Sequence, residues 1–323
     1  VDAGLQPRPV SEATLELLGR YDRLFTATSI NDERWELRFT ARARELGVPS
    51  LAVLDFWGQY RGRFTWQNHL EMPDRIAVMD DVARGEMLRE GFPAIRLAVT
   101  GQPALDELSE YAKPEVRSSC HRELRRRARI EDLPGPVILY ASQPLSQLHD
   151  PAVLGFHERD VLIDTVAAAG AVLARHRQHA TLVIKPHPRE VGHPIALPQS
   201  GPSLTVRLLN ESDVSPRLAA AGADLVVGMN SMLLLEACLL GTPVVSYQPG
   251  LKQPDVLPSN RLGWSRGVFN RADLEGALEE ELLNNRTATF SSLRGADQAG
   301  ATGRVIALLL AEPPAAMNLR RIA

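Results

Sequence analysis

The chain has 323 residues, of which 44% are hydrophobic and 23% charged, and its formal net charge is −3. This composition is that of a globular protein with room for two domains, and the small net charge argues against a global attraction to nucleic acid or to an anionic membrane. Two cysteines exclude a disulfide framework and a cysteine-rich zinc site. No apolar run approaches the roughly twenty residues of a membrane span, and no basic-then-apolar leader opens the sequence. We therefore expect a cytoplasmic protein.

In the first half, short apolar runs alternate with helical segments. The pattern predicts helices at 11–18, 33–46 and 82–90 and strands at 24–28, 51–54, 75–79 and 95–99. Strand and helix in regular alternation predict a parallel sheet. A helical passage at 105–129 and a Pro- and Gly-containing stretch at 130–136 follow, and we interpret the stretch as an interdomain linker.

The loop after the second predicted strand carries polar and aromatic side chains where open parallel sheets bind ligands. Asp55 is a candidate general base. Trp57 and Tyr60 are candidates for stacking on a sugar, and Arg61 or Arg63 for pairing with an anion. The structural alternative is that the aromatic rings anchor the loop to the core and the arginines face water.

The second half repeats the alternation. Strands are predicted at 137–140, 180–184, 204–208, 225–227 and 244–247, and helices at 160–176, 213–221, 232–240, 271–283 and 303–311. We predict an N-terminal domain at 1–130, a C-terminal domain at 131–300 and a helical tail at 301–323.

The βαβ unit at 223–249 is the strongest local pattern. Gly228 ends its first strand, and Asn230 and Ser231 suit the N-cap of the helix that follows. A helix N-terminus presents free N–H groups and a positive dipole, which favour a phosphate. Glu236, one turn further on, is placed to reach a ribose hydroxyl. The alternative is an ordinary capped helix with a solvated glutamate.

Four loops at the ends of strands in the second half are predicted to surround one crevice. His187 lies between two prolines, which fix the backbone and favour a well-placed side chain; the alternative is a loop histidine bonded to a backbone carbonyl. The predicted nucleotide-binding residues are Ser142, Gln143, Lys185, His187, Arg189, Asn230, Ser231 and Glu236.

These motifs resemble a known group of proteins. Lys-Pro-His-Pro at 185–188 is followed by Ala-Asp-Leu-Val-Val-Gly-Met-Asn-Ser, Glu-Ala and Gly-Thr-Pro-Val-Val between 223 and 245. In order and spacing they are similar to the nucleotide-sugar domain of GT-B glycosyltransferases and of the related UDP-N-acetylglucosamine 2-epimerases. Residues 73–106 resemble the stretch that closes the N-terminal domain of those proteins. The likeness covers most of residues 20–285.

The resemblance implies an α/β fold of two Rossmann-like parallel-sheet domains, the GT-B fold. It implies that Ser231 and nearby amides hold the donor phosphates, that Glu236 binds the ribose and that His187 contacts the phosphate or the departing nucleotide. A His-Pro pair after a strand also occurs in bacterial sialyltransferases and glycerol-phosphate polymerases, which use cytidine nucleotides. The donor is therefore a UDP- or a CMP-linked sugar.

Two features depart from the pattern. No strand with a Gly-rich acceptor loop precedes Leu24, so we expect an N-terminal domain that is incomplete or reduced. The Glu-Ala-Gly-Leu-Arg loop of the epimerases is absent, and Asp55-Phe56-Trp57 occupies the corresponding place.

The resulting hypothesis is a metal-independent GT-B glycosyltransferase without a cofactor. Asp55 and His187 are its predicted catalytic residues, and Trp57, Tyr60 and Arg61 are its predicted contacts to acceptor or sugar. Its expected partners are a nucleotide sugar and an unknown acceptor, without nucleic acid, and a homodimer is possible. The alternatives are a nucleotide-sugar epimerase or hydrolase of the same fold, or a non-catalytic relative that binds a nucleotide.

Overall fold

The computed structural model describes residues 9–190, 192, 195–210, 214–283 and 300–312. The described residues form two compact α/β units. Unit 1 contains residues 9–106 and 300–312, and unit 2 contains those from 107 to 283.

Unit 1 is built on a four-stranded parallel sheet in the order β1-β2-β5-β6. Its strands are β1 Leu24–Thr26, β2 Ser50–Val53, β5 Arg75–Val78 and β6 Leu97–Val99, with a separate antiparallel hairpin of β3 Thr65–Trp66 and β4 His69–Leu70. Its helices are α1 Glu12–Glu16, α2 Trp35–Leu46, α3 Tyr60–Phe64, α4 Asp81–Arg89 and, near the C-terminus, α13 Ala301–Leu310.

Unit 2 is built on a six-stranded parallel sheet in the order β12-β11-β10-β7-β8-β9. Its strands are β7 Val137–Ala141, β8 Ala180–Lys185, β9 Leu204–Leu208, β10 Leu225–Gly228, β11 Val244–Tyr247 and β12 Arg266–Val268. Its helices are α5 Leu108–Tyr111, α6 Pro114–Arg127, α7 Pro151–Leu154, α8 Glu158–Arg175, α9 Pro216–Gly222, α10 Met232–Leu239, α11 Pro258–Arg261 and α12 Leu274–Leu283.

The boundary between the units differs from the predicted domain boundary. The predicted break near 130 follows α6, yet α6 packs closely on α9: a Cβ added to Gly222 would lie 2.6 Å from the carbonyl oxygen of Cys120. The helix predicted as a tail belongs to unit 1, because the Asp106 carboxylate accepts hydrogen bonds from the amides of Ala301 (2.7 Å) and Thr302 (2.8 Å). Proline and glycine composition alone therefore placed the boundary too late.

The continuous apolar runs of the sequence correctly predicted the central strands of unit 2. Every residue of β7, β8, β10 and β11 is buried, as expected for strands covered on both faces. The 18-residue helix α8 buries eight side chains against them. Each fully buried aliphatic side chain contributes roughly 1.5–3 kcal/mol, so this cluster is a firm base for the loops at the sheet edge.

Some short elements were not predicted from the sequence. β12 and α11 lie between the strand predicted at 244–247 and the helix predicted at 271–283, where no element was predicted, and α3 lies within the polar loop that follows β2. All three are only three to five residues long, too short to show a period. Among the residues that the structure describes, no helix has the length and apolarity needed to cross a membrane.

Candidate functional site

Unit 2 has a cavity of about 470 Å³ at the carboxyl edge of its sheet. The strand register brings the ends of three strands together, since Ala141 pairs with both Gly228 and Lys185. Of the predicted nucleotide-binding residues, the following line the cavity: Ser142, Lys185, His187, Ser231 and Glu236. Three segments distant in the sequence thus converge on one volume, which is of the size that small ligands occupy.

The loop that carries His187 is held in place by Glu190. One carboxylate oxygen of Glu190 accepts a hydrogen bond from the Ser142 hydroxyl (2.8 Å), and the other accepts one from the His187 backbone amide (2.7 Å). The Ser142 amide in turn donates to the Lys185 carbonyl (3.1 Å). Glu190 therefore fixes the loop after β8 against the loop after β7. Glu190 could not be predicted from the sequence, because a glutamate in a polar loop matches no pattern.

The hydrogen bonds of His187 define its tautomer. The backbone amide of Arg189 donates to Nδ1 of His187 at 3.1 Å. An amide is always a donor, so Nδ1 must be unprotonated, and the proton of the neutral ring is on Nε2. The imidazole can then donate a hydrogen bond from Nε2 to a phosphate oxygen.

Two helix N-termini end at the cavity. The Ser231 hydroxyl accepts from the Leu233 amide (3.2 Å) and caps α10, and the Ser215 hydroxyl accepts from the Leu218 amide (3.2 Å) and caps α9. Ser215 lines the cavity although it was not among the predicted site residues. The sequence has a serine followed by a proline at the first helical position, a pattern that predicts a helix start and does not by itself predict a ligand contact.

Gly228 allows α10 to start close to the sheet. A Cβ at this position would lie 2.8 Å from a terminal carbon of Leu234 and 3.2 Å from the Cβ and the carbonyl oxygen of Ala141. The missing side chain therefore brings the first turn of α10 against the end of β7.

Two ionisable side chains that are largely buried, those of Lys185 and Glu236, also line the cavity. Lys185 is only 6% exposed, in a chain where arginine supplies most of the 36 basic residues. The side chain of Glu236 is 17% exposed, and Oε2 of Glu236 lies 3.9 Å from Nε of Arg217. Burial raises the pKa of Glu236, and the charge of Arg217 opposes that shift in part.

Three predicted nucleotide-binding residues do not line this cavity. The Gln143 side-chain oxygen accepts a hydrogen bond from the Asn230 amide (3.1 Å), which ties the loop after β7 to the loop after β10. Arg189 is exposed, and its backbone amide orients His187. In this structure all three residues act on the loops that carry the lining residues.

In unit 1, Asp55 follows β2 as predicted. Its carboxylate accepts a hydrogen bond from the Thr28 hydroxyl (2.9 Å) and pairs with Arg63. Arg63 is nearly buried, and this burial lowers the pKa of its guanidinium, with Asp55 opposing the shift. The half-exposed Asp55 side chain is thus held in position by a neighbouring charge and remains a predicted base.

Two of the predicted sugar contacts of unit 1, Trp57 and Tyr60, have structural roles instead, while Arg61 is exposed and stays a predicted contact. Trp57 is 3% exposed and its indole N–H donates to Asp80 (2.8 Å), and Tyr60 is buried with its hydroxyl donating to Glu86. Arg61 donates to the carbonyl of Glu90 (2.8 Å). Buried rings offer no face to a sugar, so the expected stacking by Trp57 and Tyr60 is corrected: the rings anchor the loop to the core.

The arrangement in unit 2 suits a phosphorylated ligand. Free N–H groups and the dipoles of helix N-termini favour an anion, and Lys185 and the Nε2–H of His187 add a cation and a donor. A carboxyl group at the far side of the first turn of α10 is complementary to sugar hydroxyls.

Solved structures show the same fold. The UDP-GlcNAc 2-epimerase from Neisseria meningitidis, solved with UDP-GlcNAc bound, matches with a TM-score of 0.61 and 12% identity over 93% of this chain and 79% of that one. The UDP-GlcNAc 2-epimerase from Methanocaldococcus jannaschii matches with a TM-score of 0.60 and 13% identity over 92% and 81%. The glycotransferase of kitacinnamycin matches with a TM-score of 0.50 and 17% identity over 89% and 74%.

These likenesses define the fold class. The predicted fold is confirmed: the chain has the α/β fold of the UDP-GlcNAc 2-epimerases and GT-B glycosyltransferases, with two parallel-sheet units. No protein-family model matches the sequence, and no curated protein does.

Proposed function

We propose that the chain is an enzyme that binds a nucleotide-activated sugar in the cavity of unit 2 and transfers the sugar to an acceptor. The observation that carries the proposal is the convergence of Ser142, Lys185, His187, Ser231 and Glu236 on one cavity. In the proposed complex the N-termini of α9 and α10 face the donor phosphate, and Glu236 accepts hydrogen bonds from the ribose.

Sugar transfer requires stabilisation of the departing phosphate. As the bond to the anomeric carbon breaks, negative charge grows on the phosphate oxygen. Lys185, the Nε2–H of His187 and the helix ends can stabilise this charge without a metal ion. The Arg189 amide orients the His187 ring, so its Nε2–H can stabilise the leaving phosphate by donating a hydrogen bond while the ring keeps its proton.

The acceptor hydroxyl needs a base, and Asp55 of unit 1 is the proposed one. The ion pair with Arg63 and the hydrogen bond from Thr28 orient its carboxylate. The proposed role of this carboxylate is to accept the proton of the acceptor hydroxyl as the sugar–oxygen bond forms.

An epimerase is the second candidate. UDP-GlcNAc 2-epimerases predominate among the structures described above, and the donor site proposed here would serve a nucleotide-sugar epimerase equally. The two activities differ in one respect: an epimerase needs no acceptor.

Product analysis separates the candidates. The protein is incubated with UDP-N-acetylglucosamine or a CMP-sugar, without acceptor and then with a panel of hydroxyl acceptors, and products are followed by NMR and chromatography. If the chain is a sugar transferase, the amount of free nucleotide released should increase when an acceptor is added. A new epimer that forms without acceptor would support the second candidate, and an unchanged donor in every mixture would contradict both.

A further inference from the structure

A second concave surface of unit 2 is lined by arginines. It encloses about 560 Å³, and no residue that lines it lines the nucleotide cavity. We call it the arginine cavity; its charged and polar lining residues are Arg126, Arg127, Arg129, Arg207 and Asn210. They come from the end of α6 and from the end of the edge strand β9.

The charges around this cavity do not balance. Glu123 accepts hydrogen bonds from both Arg126 (2.6 Å) and Arg127 (2.7 Å), and Glu131 also acts electrostatically on Arg126. Among the residues that the structure describes, neither Arg129 nor Arg207 has an ion-pair partner. Counted over the described residues, the four arginines of the cavity therefore outnumber the carboxylates that act on them.

Arg129 occupies a backbone position that favours glycine. It follows the last turn of α6 with φ +55°, its amide donates to Arg126, and the next amide, of Ile130, donates to Arg125. In this helix-ending motif a residue other than glycine costs about 1 kcal/mol. Arg177 ends α8 in the same way with φ +54°, so the backbone alone does not mark a site. Only Arg129 of the two combines this backbone with a place in the arginine cavity.

We propose that the arginine cavity binds a small soluble anion carrying several phosphate groups. The planar guanidinium pairs with phosphate oxygens through two parallel hydrogen bonds. One phosphate would neutralise only part of the charge on four arginines, whereas an oligophosphate can meet several of them. The concave shape fits a compact ligand better than a flat lipid surface does. This proposal is independent of the proposed function.

The pair Arg129 and Arg177 provides a matched test. Arg129→Gly removes a guanidinium of the cavity and places glycine where the backbone favours it, so the variant should be at least as stable as the wild type. Arg177→Gly makes the same change at the end of another helix and leaves the cavity intact. Binding of inorganic tripolyphosphate to the full chain is measured by calorimetry for the wild type, both variants and Arg207→Gln.

We expect Arg129→Gly and Arg207→Gln each to weaken binding about tenfold, the scale of one lost charge-assisted hydrogen bond, and Arg177→Gly to leave it unchanged. Equal affinities for all four proteins would overturn the proposal, because the anion would then bind elsewhere, for example in the nucleotide cavity. Equal affinity for citrate would overturn the assignment to phosphate. Binding to vesicles containing phosphatidic acid without binding to tripolyphosphate would overturn the assignment to a soluble ligand.

Discussion

At the scale of a single residue, Glu236 is an ionisable carboxyl group in a mostly buried position. Its carboxyl group is mostly removed from water, which raises its pKa, while the charge of Arg217, 3.9 Å away, offsets part of this cost. Burying an ionisable carboxyl group costs free energy. Helix stability does not explain why a glutamate stands at this position, because an apolar side chain would stabilise the fold more. The environment of Glu236 therefore favours a role towards a ligand.

The raised pKa of Glu236 predicts how its replacement changes stability with pH. Protonation of this carboxyl is favoured in the folded protein, so its effect on stability is most favourable below the unfolded pKa and is lost as pH rises through the raised folded pKa. Glutamine never ionises. Glu236→Gln should therefore match the wild type in Tm near pH 4 and exceed it at pH 7, measured by calorimetry across pH. A variant less stable than the wild type at pH 7 would contradict the assigned environment.

At the scale of elements, helix α10 is central to the site. Gly228 brings its start close to the sheet, and Ser231 caps it. Its N-terminus and that of α9 both reach the cavity, so the proposed phosphate site depends on helix ends and less on charged side chains. Such a site should tolerate salt better than a surface of lysines would.

The two roles of Ser231 can be separated by two substitutions. Alanine at an N-cap costs about 1 kcal/mol, whereas glycine costs only a few tenths. If the hydroxyl also contacts the donor phosphate, Ser231→Ala and Ser231→Gly should weaken nucleotide binding alike, although only the alanine variant loses stability. Denaturant unfolding and calorimetric titration measure the two effects. Binding that followed stability in both variants would show that the hydroxyl acts only as a cap.

At the scale of the whole molecule, the two units divide the proposed work. The nucleotide cavity belongs to unit 2 and Asp55 to unit 1. Asp55→Asn should therefore lower the transfer rate by about 10²–10⁴-fold, the usual contribution of a general base, and leave the affinity for the nucleotide unchanged. Kinetics and calorimetry on the same preparation test this. A loss of nucleotide affinity in the variant would contradict the division.

The sequence predicted this architecture unevenly, for physical reasons. Continuous apolar runs such as 137–140 predict strands buried on both faces, and glycine after a periodic segment predicts helix ends, so both sheets were foreseen. The convergence on Ser231 and Glu236 was also predictable, because the carboxyl ends of parallel strands share one edge. The role of Glu190 and the burial of Trp57 were not predictable, since both depend on contacts between side chains that are distant or unpatterned in the sequence.

The predicted domain boundary differs from the boundary between the two units for a related reason. The Asp106 side chain binds the start of α13, a contact across nearly 200 positions that no local pattern reveals. Composition marked the stretch at 130–136, which is a tight connection inside unit 2, where a Cβ at Gly135 would collide with the carbonyl oxygen of His179 at 1.8 Å.

The most direct test of the central claim is calorimetric titration of the wild type and of Glu236→Ala with UDP and with CMP. The account predicts that one of the two nucleotides binds the wild type with 1:1 stoichiometry. It predicts that Glu236→Ala weakens this binding by about 1–3 kcal/mol, the cost of losing a buried hydrogen-bond partner. Absence of binding by both nucleotides, or equal affinity in the variant, would contradict it.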